Sequence, residues 1–246
     1  MELNKIYNEN CIDTLKRFTD NYIDIVITSP PYNMNLRIRD NKYCSRQIVK
    51  EFSTKYKGFD DNMPIDDFYD MHSNIIRELL RVSKIIFYNI QIVTGSKRAF
   101  FKIIGEFSDQ LKDIVIWDKG VSQPAMSYGV LNRQSELILI FENDNAISRK
   151  FSKYNFDRGT LGDIWNISRG KKIDKSHGAV FPEKLVSKIL QNFSDVGDLV
   201  YDPFMGSGTT AKMAYLLNRN YIGSEINSKY IDIANKRINK NQTELF

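Results

Sequence analysis

The chain has 246 residues, of which 42% are hydrophobic and 26% charged, proportions typical of a globular protein with one large core. Two cysteines are too few for a disulfide framework or a metal cluster. No apolar run approaches the roughly 18 residues of a membrane span, and we find no secretion signal. We therefore expect a single cytoplasmic domain over residues 1–246 without a metal. The net charge of +5 suits an anionic partner such as nucleic acid, although many other proteins are equally basic.

The first chemically informative stretch is residues 22–33, YIDIVITSPPYN. Its apolar part predicts a buried strand, and the two prolines end that strand and stiffen the turn. Ligands of parallel sheets lie beyond the carboxyl ends of the strands, so Ser29 and the carbonyl of Pro30 are candidate acceptors for an amino group. Tyr32 offers a face on which a base could stack. The alternative is a proline-terminated strand whose tyrosine packs in the core.

Runs rich in Ile and Val alternate with helical periods along the rest of the chain. Periodic apolar residues predict a helix at 66–81, and Pro182 is suited to be the first residue of another. Two basic segments, 34–65 and 143–176, interrupt the alternation and are predicted to be long loops or insertions, either functional or merely solvated. Strands that alternate with helices predict an α/β fold with a mostly parallel sheet covered on both faces.

Residues 198–227 have the pattern of a strand, a glycine turn, a helix and a second strand. Gly206 and Gly208 permit a tight turn and the close approach of a ligand, and Glu225 ends the second strand, where it can accept hydrogen bonds from ribose hydroxyls. The glycines match neither the phosphate-binding loop nor the full dinucleotide fingerprint. A cofactor with a ribose and no phosphate, S-adenosylmethionine, fits best, and an ordinary strand-to-helix turn is the alternative.

The motifs TSPPYN and DPFMGSGTT, in this order, resemble those of the beta-class amino-methylating DNA methyltransferases of bacterial restriction–modification systems and phages. Further segments that resemble the same family extend the likeness over nearly the whole chain: NENCIDTLKRF, GSEIN, HGAVFPEKL and GDIWNISR. The resemblance implies a Rossmann-like, S-adenosylmethionine-dependent methyltransferase fold with a seven-stranded, mostly parallel sheet, helices on both faces and a permuted motif order. The strand near Ile6 would then lie beside the strand that ends at Glu225.

The resemblance also implies the residues of each site. The catalytic tetrapeptide is Ser29, Pro30, Pro31 and Tyr32. The residues expected to bind S-adenosylmethionine are Asn10, Cys11, Asp202, Phe204, Gly206, Gly208, Thr209, Thr210, Glu225, His177, Phe181 and Pro182. Asn10 stands where the family commonly has an aspartate, which leaves its adenine contact open.

The implied reaction is methyl transfer to the exocyclic amino group of a base flipped out of double-stranded DNA. Ser29 and the Pro30 carbonyl would hold the amino protons, and no covalent enzyme intermediate is needed. In the family, serine at the first tetrapeptide position is associated with cytosine-N(4) and aspartate with adenine-N(6), so Ser29 favours cytosine. Adenine is the alternative, and a catalytically inactive DNA-binding remnant is a more distant one.

The partners expected from the resemblance are DNA and, as open alternatives, a second copy of the chain and a cognate restriction endonuclease. The segments 143–176 and 34–65 are the candidate DNA-recognition elements. The residues expected to contact DNA are Arg37, Arg39, Lys153, Arg158, Arg169, Lys171 and Lys172. Outside these sets, His72 is predicted to be structural, and Trp117 is expected to pack in the core rather than to border the base pocket.

Overall fold

The computed structural model describes residues 1–34, 36–39, 42–45, 62–123, 128–144, 148–170 and 181–243. The strands in this part of the chain are β1 (Lys5–Tyr7), β2 (Ile23–Thr28), β3 (Leu36–Arg39), β4 (Lys42–Ser45), β5 (Ser83–Ile90), β6 (Leu111–Gln123), β7 (Arg133–Glu142), β8 (Ile164–Asn166), β9 (Leu199–Asp202) and β10 (Asn220–Ser224). The helices are α1 (Cys11–Leu15), α2 (Ile65–Val82), α3 (Lys97–Glu106), α4 (Glu183–Phe193), α5 (Thr209–Leu216) and α6 (Ser228–Thr243). None of these helices is long and apolar enough to cross a membrane.

One sheet has the strand order β1–β10–β9–β2–β5–β7–β6–β8, and β3 and β4 form a separate antiparallel hairpin. The first five strands run parallel, β7 is antiparallel to both of its neighbours, and β8 is parallel to β6. The mostly parallel sheet is therefore confirmed, as is the predicted neighbour of β1, since Ile6 lies opposite Gly223 of β10. The sheet has eight strands rather than the expected seven, because Ile164–Asn166 of the predicted 143–176 loop pairs with β6.

Neighbouring residues of the central strands point into two different cores. On β2, Val26 packs on one side of the sheet, whereas Ile25 and Ile27 pack on the other. Helices α1, α2 and α3 contribute to the first core, and α4, α5 and α6 contribute to the second. Both faces are covered by helices as predicted, and this double burial explains why β2 is nearly all apolar.

The two helices predicted from periodicity are present with small shifts at their ends. The helix expected at 66–81 is α2, which extends one residue further in each direction. Pro182 is the residue before α4 rather than its first residue, with extended backbone angles of φ −67° and ψ 133°. Pro182 therefore occupies the N-cap position, immediately before the first residue of the helix.

The glycine loop between β9 and α5 is shaped by contact with α6. Gly208 has a φ of +79°, and a Cβ at this position would lie 2.5 Å from the Cβ of Ala234. A side chain here is excluded by sterics as well as by the left-handed backbone. Gly208 is therefore closely approached by α6, whereas Gly206 lines the cleft described next.

Candidate active site

A cleft of about 920 Å³ lies at the carboxyl ends of the parallel strands. Ser29 and Asn89 enter it from the ends of β2 and β5, and Asp202 and Glu225 enter it from the ends of β9 and β10. Loops that follow parallel strands meet at one edge of the sheet, so residues far apart in the sequence share one cavity here. The Ser-Pro-Pro-Tyr turn and the glycine loop are thus two walls of the same cleft.

Glu225 forms the acidic wall of the cleft next to the glycine loop. One carboxylate oxygen accepts the backbone N–H of Gly206 and the other accepts that of Asn227, each at 2.8 Å. Burial raises the pKa of this carboxyl above its ordinary value, although both hydrogen bonds favour the charged form. Each oxygen keeps a second lone pair, so the side chain can still accept hydrogen bonds from hydroxyl groups of a ligand.

Asp202 joins the glycine loop to the neighbouring strand. Its carboxylate accepts hydrogen bonds from the hydroxyls of Thr28 and Thr210, both at 2.7 Å, and from the N–H of Phe204 at 3.0 Å. Complete burial raises its pKa to about 6 against the effect of these three donors. Asp202 therefore fixes the start of the loop in addition to lining the cleft.

The segment after β1 also lines the cleft. The Asn10 side chain accepts the N–H of Ile12 at 3.0 Å and so caps α1. Cys11 is buried behind it, and burial raises the pKa of its thiol to about 12. A thiol in this state is not a nucleophile near neutral pH.

A buried hydrogen-bond network surrounds Ser29 on the other side of the cleft. The Ser29 Oγ lies 2.6 Å from the hydroxyl of Tyr32, and that hydroxyl donates to Glu136 Oε2 at 3.2 Å. The amide nitrogen of Asn89 donates to the Tyr32 hydroxyl at 2.6 Å and to Glu136 Oε2 at 2.7 Å. The other oxygen of Glu136 accepts from Lys119 at 3.0 Å. Tyr32 is only 6% exposed, so it serves this network with its hydroxyl in addition to bordering the cleft.

The Ser-Pro-Pro-Tyr turn is also held in place by the residue that follows it. Asn33 takes a positive φ of 56°, and its side chain donates to the carbonyls of Met63 and Gly95. Deeper in the core, His72 Nδ1 lies 2.5 Å from the Tyr88 hydroxyl, and full burial lowers the pKa of this histidine to about 3. His72 is therefore neutral and structural, which agrees with the sequence prediction.

Comparison with known proteins identifies the family that combines these two walls. A family model for N6/N4 DNA methylases matches residues 23–236. The chain belongs to this family. Among sequence relatives of the methylase, the type II methyltransferase M.BglII of Bacillus subtilis is 27% identical over 265 aligned residues, which cover 94% of this chain and 68% of that protein.

Solved structures show the same fold. The PvuII DNA methyltransferase, which is cytosine-N4-specific, superposes on the methylase with a TM-score of 0.67 at 17% identity, covering 97% of this chain and 94% of that one. The complex of M1.HpyAVI with S-adenosylmethionine gives a TM-score of 0.63 at 20% identity, covering 95% and 98%. The methyltransferase fold is therefore confirmed, and S-adenosylmethionine is the cofactor of the family, as expected.

Most of the residues expected to bind the cofactor line the cleft of the methylase: Asn10, Cys11, Phe181, Asp202, Phe204, Gly206, Thr209, Thr210 and Glu225. Pro182 caps α4 and Gly208 packs against α6, and neither lines the cleft. His177 lies outside the described residues. In the tetrapeptide, Ser29, Pro31 and Tyr32 line the cleft, whereas Pro30 does not.

Three polar residues of the methylase were missed by sequence reasoning. Asn89, Lys119 and Glu136 come from β5, β6 and β7, and the side chains of all three are almost completely buried. The available signal was a single polar residue inside or beside an apolar run, as in KIIFYNI and SELILIF. Such residues usually lie at the end of a strand or on an edge strand, so the pattern alone did not assign them to a site.

Trp117 both packs in the core and borders the cleft. It is 4% exposed, its ring meets Phe181 edge-on with centroids 6.2 Å apart, and its indole donates to the carbonyl of Ile167 at 2.7 Å. The core packing predicted for Trp117 is confirmed, and Trp117 also lines the cleft, which the sequence favoured less.

Among the residues expected to contact DNA, the structure describes Arg169 and Lys153 at opposite edges of the sheet. Arg169 is exposed and follows β8, whose carboxyl end lies at the same edge as the cleft. Lys153 instead pairs with Asp195 and Asp198 at 2.8 and 2.6 Å, at the amino end of β9 and therefore at the opposite edge.

Arg158 is exposed in a turn before β8. Lys171 and Lys172 lie outside the described residues, as do the side chains of Arg37 and Arg39 in β3.

Proposed function

We propose that the chain is a site-specific DNA methyltransferase that methylates the exocyclic amino group of cytosine. The observation that carries this choice is the neutral hydroxyl of Ser29, which stands in the cleft at the carboxyl end of β2. The family resemblance associates serine at this position with cytosine-N(4) and aspartate with adenine-N(6). The cytosine-N4-specific PvuII enzyme has the same fold, which is compatible with the proposal. Adenine-N(6) methylation is the alternative with the same chemistry.

The acidic side of the cleft fits S-adenosylmethionine. Glu225 retains lone pairs for the ribose hydroxyls, and the cleft also carries the apolar side chains of Phe204, Ile226 and Tyr230, against which an adenine ring can pack. When bound, the cofactor supplies a methyl group on a positively charged sulfur, which makes the methyl carbon electrophilic. The carboxylates of Glu225 and Asp202 suit that positive charge.

Ser29 orients the nucleophile. Its hydroxyl proton is directed to Tyr32 and one lone pair accepts from Asn89 Nδ2 at 3.4 Å, so the second lone pair remains to accept a proton of the target amino group. Such a bond favours a more tetrahedral nitrogen with a less delocalised lone pair, and fixed positioning lowers the barrier further. Direct transfer needs no enzyme nucleophile, in agreement with the raised pKa of the buried Cys11 thiol.

The substrate is a base that has left double-stranded DNA, because an amino group inside the duplex cannot reach the cleft. Arg169 is exposed after β8, at the same edge of the sheet as the cleft, which supports its role as a phosphate contact. The relation to a type II methyltransferase supports a role beside a cognate restriction endonuclease, which would be prevented from cutting the methylated site. A DNA substrate also implies a cytoplasmic location.

A nucleoside digest tests the proposal. Unmethylated DNA of mixed sequence is incubated with the protein and S-adenosylmethionine, hydrolysed, and separated by mass spectrometry. N(4)-methylcytosine is the expected product. N(6)-methyladenine would retain the reaction class and overturn the choice of base. Absence of both products, with calorimetric cofactor binding also absent, would support the inactive DNA-binding remnant.

A further inference from the structure

Two glutamates on β7, the buried Glu142 and the partly buried Glu136, each face a buried lysine of β6, at opposite ends of the strand. Glu142 lies 3.9 Å from Lys112 at the end away from the cleft. Glu136 lies 3.0 Å from Lys119 at the cleft, with side chains that are 11% and 1% exposed. Removing two charges from water costs about as much as their attraction returns, so stability does not by itself account for such a pair. Glu136 differs from Glu142 in that it also lines the cleft.

The hydrogen bonds around Glu136 have a fixed direction. A carboxylate only accepts, so the amide nitrogen of Asn89 and the hydroxyl of Tyr32 both donate to Oε2. Tyr32 has one proton and uses it on Glu136, so it accepts from Ser29 at 2.6 Å. In this arrangement the Ser29 hydroxyl directs its proton to Tyr32, one of its lone pairs accepts from the Asn89 amide nitrogen at 3.4 Å, and the other is left for a group in the cleft. The chain Ser29–Tyr32–Glu136 is polarised toward the carboxylate.

We propose that Glu136 receives, through Tyr32 and Ser29, the proton that leaves the methylated amino nitrogen. This inference rests on the proposed function. As the nitrogen–carbon bond forms, the carbon–sulfur bond breaks, its electron pair neutralises the sulfur, and the nitrogen becomes positively charged. Its proton passes to Ser29 Oγ, the Ser29 proton passes to Tyr32, and the Tyr32 proton passes to Glu136. The carboxylate becomes a neutral acid, and the methylated amino group is neutral.

This arrangement gives Ser29 the acid–base capacity that its own hydroxyl lacks. A serine hydroxyl is a poor final acceptor of a proton, whereas a carboxylate is a good one. The carboxylate stands on β7 rather than in the tetrapeptide. The titratable groups that face it are Lys119 from β6 and Tyr32 from the turn after β2, and Asn89 from β5 supplies a further donor. Glu136 acts through Ser29 and is in that sense a positioning residue.

The first test compares Glu136→Gln with Glu142→Gln, a matched control on the same strand. Gln has the size of Glu and cannot accept a proton at neutral pH. We expect Glu136→Gln to lower the single-turnover methylation rate about 100-fold or more, with dissociation constants for S-adenosylmethionine and for DNA within about twofold of wild type. Glu142→Gln should change the rate less than about twofold. A Glu136→Gln enzyme as fast as the control would overturn the proposal.

The second test separates proton acceptance from structural support. Glu136→Ala is assayed with added formate, a small carboxylate that can occupy the vacated space. A saturable rise in rate with formate, absent in wild type, supports proton acceptance by Glu136. Lack of rescue in a variant that binds S-adenosylmethionine normally and melts as a folded protein contradicts it. A wild-type enzyme that methylates no base would instead remove the proposed function itself, so the two failures are distinguishable.

Discussion

Ser29 is a weak hydrogen-bond acceptor by itself, and its neighbours give it direction. Tyr32 accepts a hydrogen bond from the Ser29 hydroxyl. Hydrogen bonds with Asn89 and Glu136 fix the hydroxyl of Tyr32 in turn. The same residue exposed on a surface would rotate freely among many partners. The chemistry predicted from Ser-Pro-Pro-Tyr therefore depends on groups that the motif does not contain.

Replacement of Ser29 by alanine should separate catalysis from cofactor binding. The hydroxyl is proposed to hold the target amino group, so we expect Ser29→Ala to reduce turnover roughly 100-fold with little change in the dissociation constant of S-adenosylmethionine. Single-turnover kinetics and titration calorimetry measure the two quantities. A large loss of cofactor affinity would assign Ser29 to the other side of the cleft.

At Glu225 we expect a substitution to weaken cofactor binding, in contrast to Ser29. Its carboxylate is the acceptor proposed for the ribose hydroxyls, and hydrogen bonds to a charged group contribute about 1.5–3 kcal/mol. Glu225→Ala should weaken cofactor binding roughly 10- to 100-fold by calorimetry, and Glu225→Gln should retain part of the affinity because an amide oxygen still accepts. Unchanged affinity in the alanine variant would remove Glu225 from the site.

At the scale of elements, the short strand β8 turns a predicted loop into part of the sheet. Its pairing with β6 carries the chain from one edge of the sheet to the other. Residues before β8, such as Lys153, therefore lie far from the cleft edge, and Arg169 after it lies near. In the described part of the predicted recognition segment 143–176, the residues before this strand and those after it therefore have different surroundings.

This division predicts different effects for two exposed arginines. Arg169→Ala should weaken DNA binding and lower the slope of log K against log salt by about 0.9, the value for one lost phosphate contact. Arg149→Ala is the control, because Arg149 is exposed and pairs with Asp113 near the amino end of β6. Binding isotherms at several salt concentrations measure both slopes. Equal slopes for Arg169→Ala and wild type would place that arginine off the phosphates.

At the scale of the whole molecule, the cleft rests on a core that contains a neutral histidine. Burial lowers the pKa of His72 to about 3, below the ordinary value of 6.5 that applies in the unfolded chain. Between these pH values the unfolded state binds more protons, so stability falls as the pH decreases from 6.5 toward 3. Buried Asp202, with its pKa raised to about 6, contributes the opposite trend as the pH rises from 4 to 6.

Removal of the histidine should therefore reduce sensitivity to acid. Relative to His72→Gln, the wild type is expected to lose about 2 kcal/mol of unfolding free energy between pH 6.5 and pH 4.5. Urea unfolding of both proteins at each pH measures the difference, and His177 and Asp202 are common to both. A stability difference that is independent of pH would show that His72 does not remain neutral in the folded protein.

The sequence determined the local chemistry of this protein. Alternating apolar runs predicted a mostly parallel sheet with two covered faces, and the prolines predicted the end of β2 just before Ser29. These features depend on turn geometry and burial, which neighbouring residues in the sequence decide. The tertiary structure alone decided which distant side chains meet. Insertion of the antiparallel strand β7 between β5 and β6 brings Glu136 beside Asn89 and Lys119. Strand order is set by the packing of the whole sheet, so no local pattern could predict that Ser29 has a carboxylate behind it.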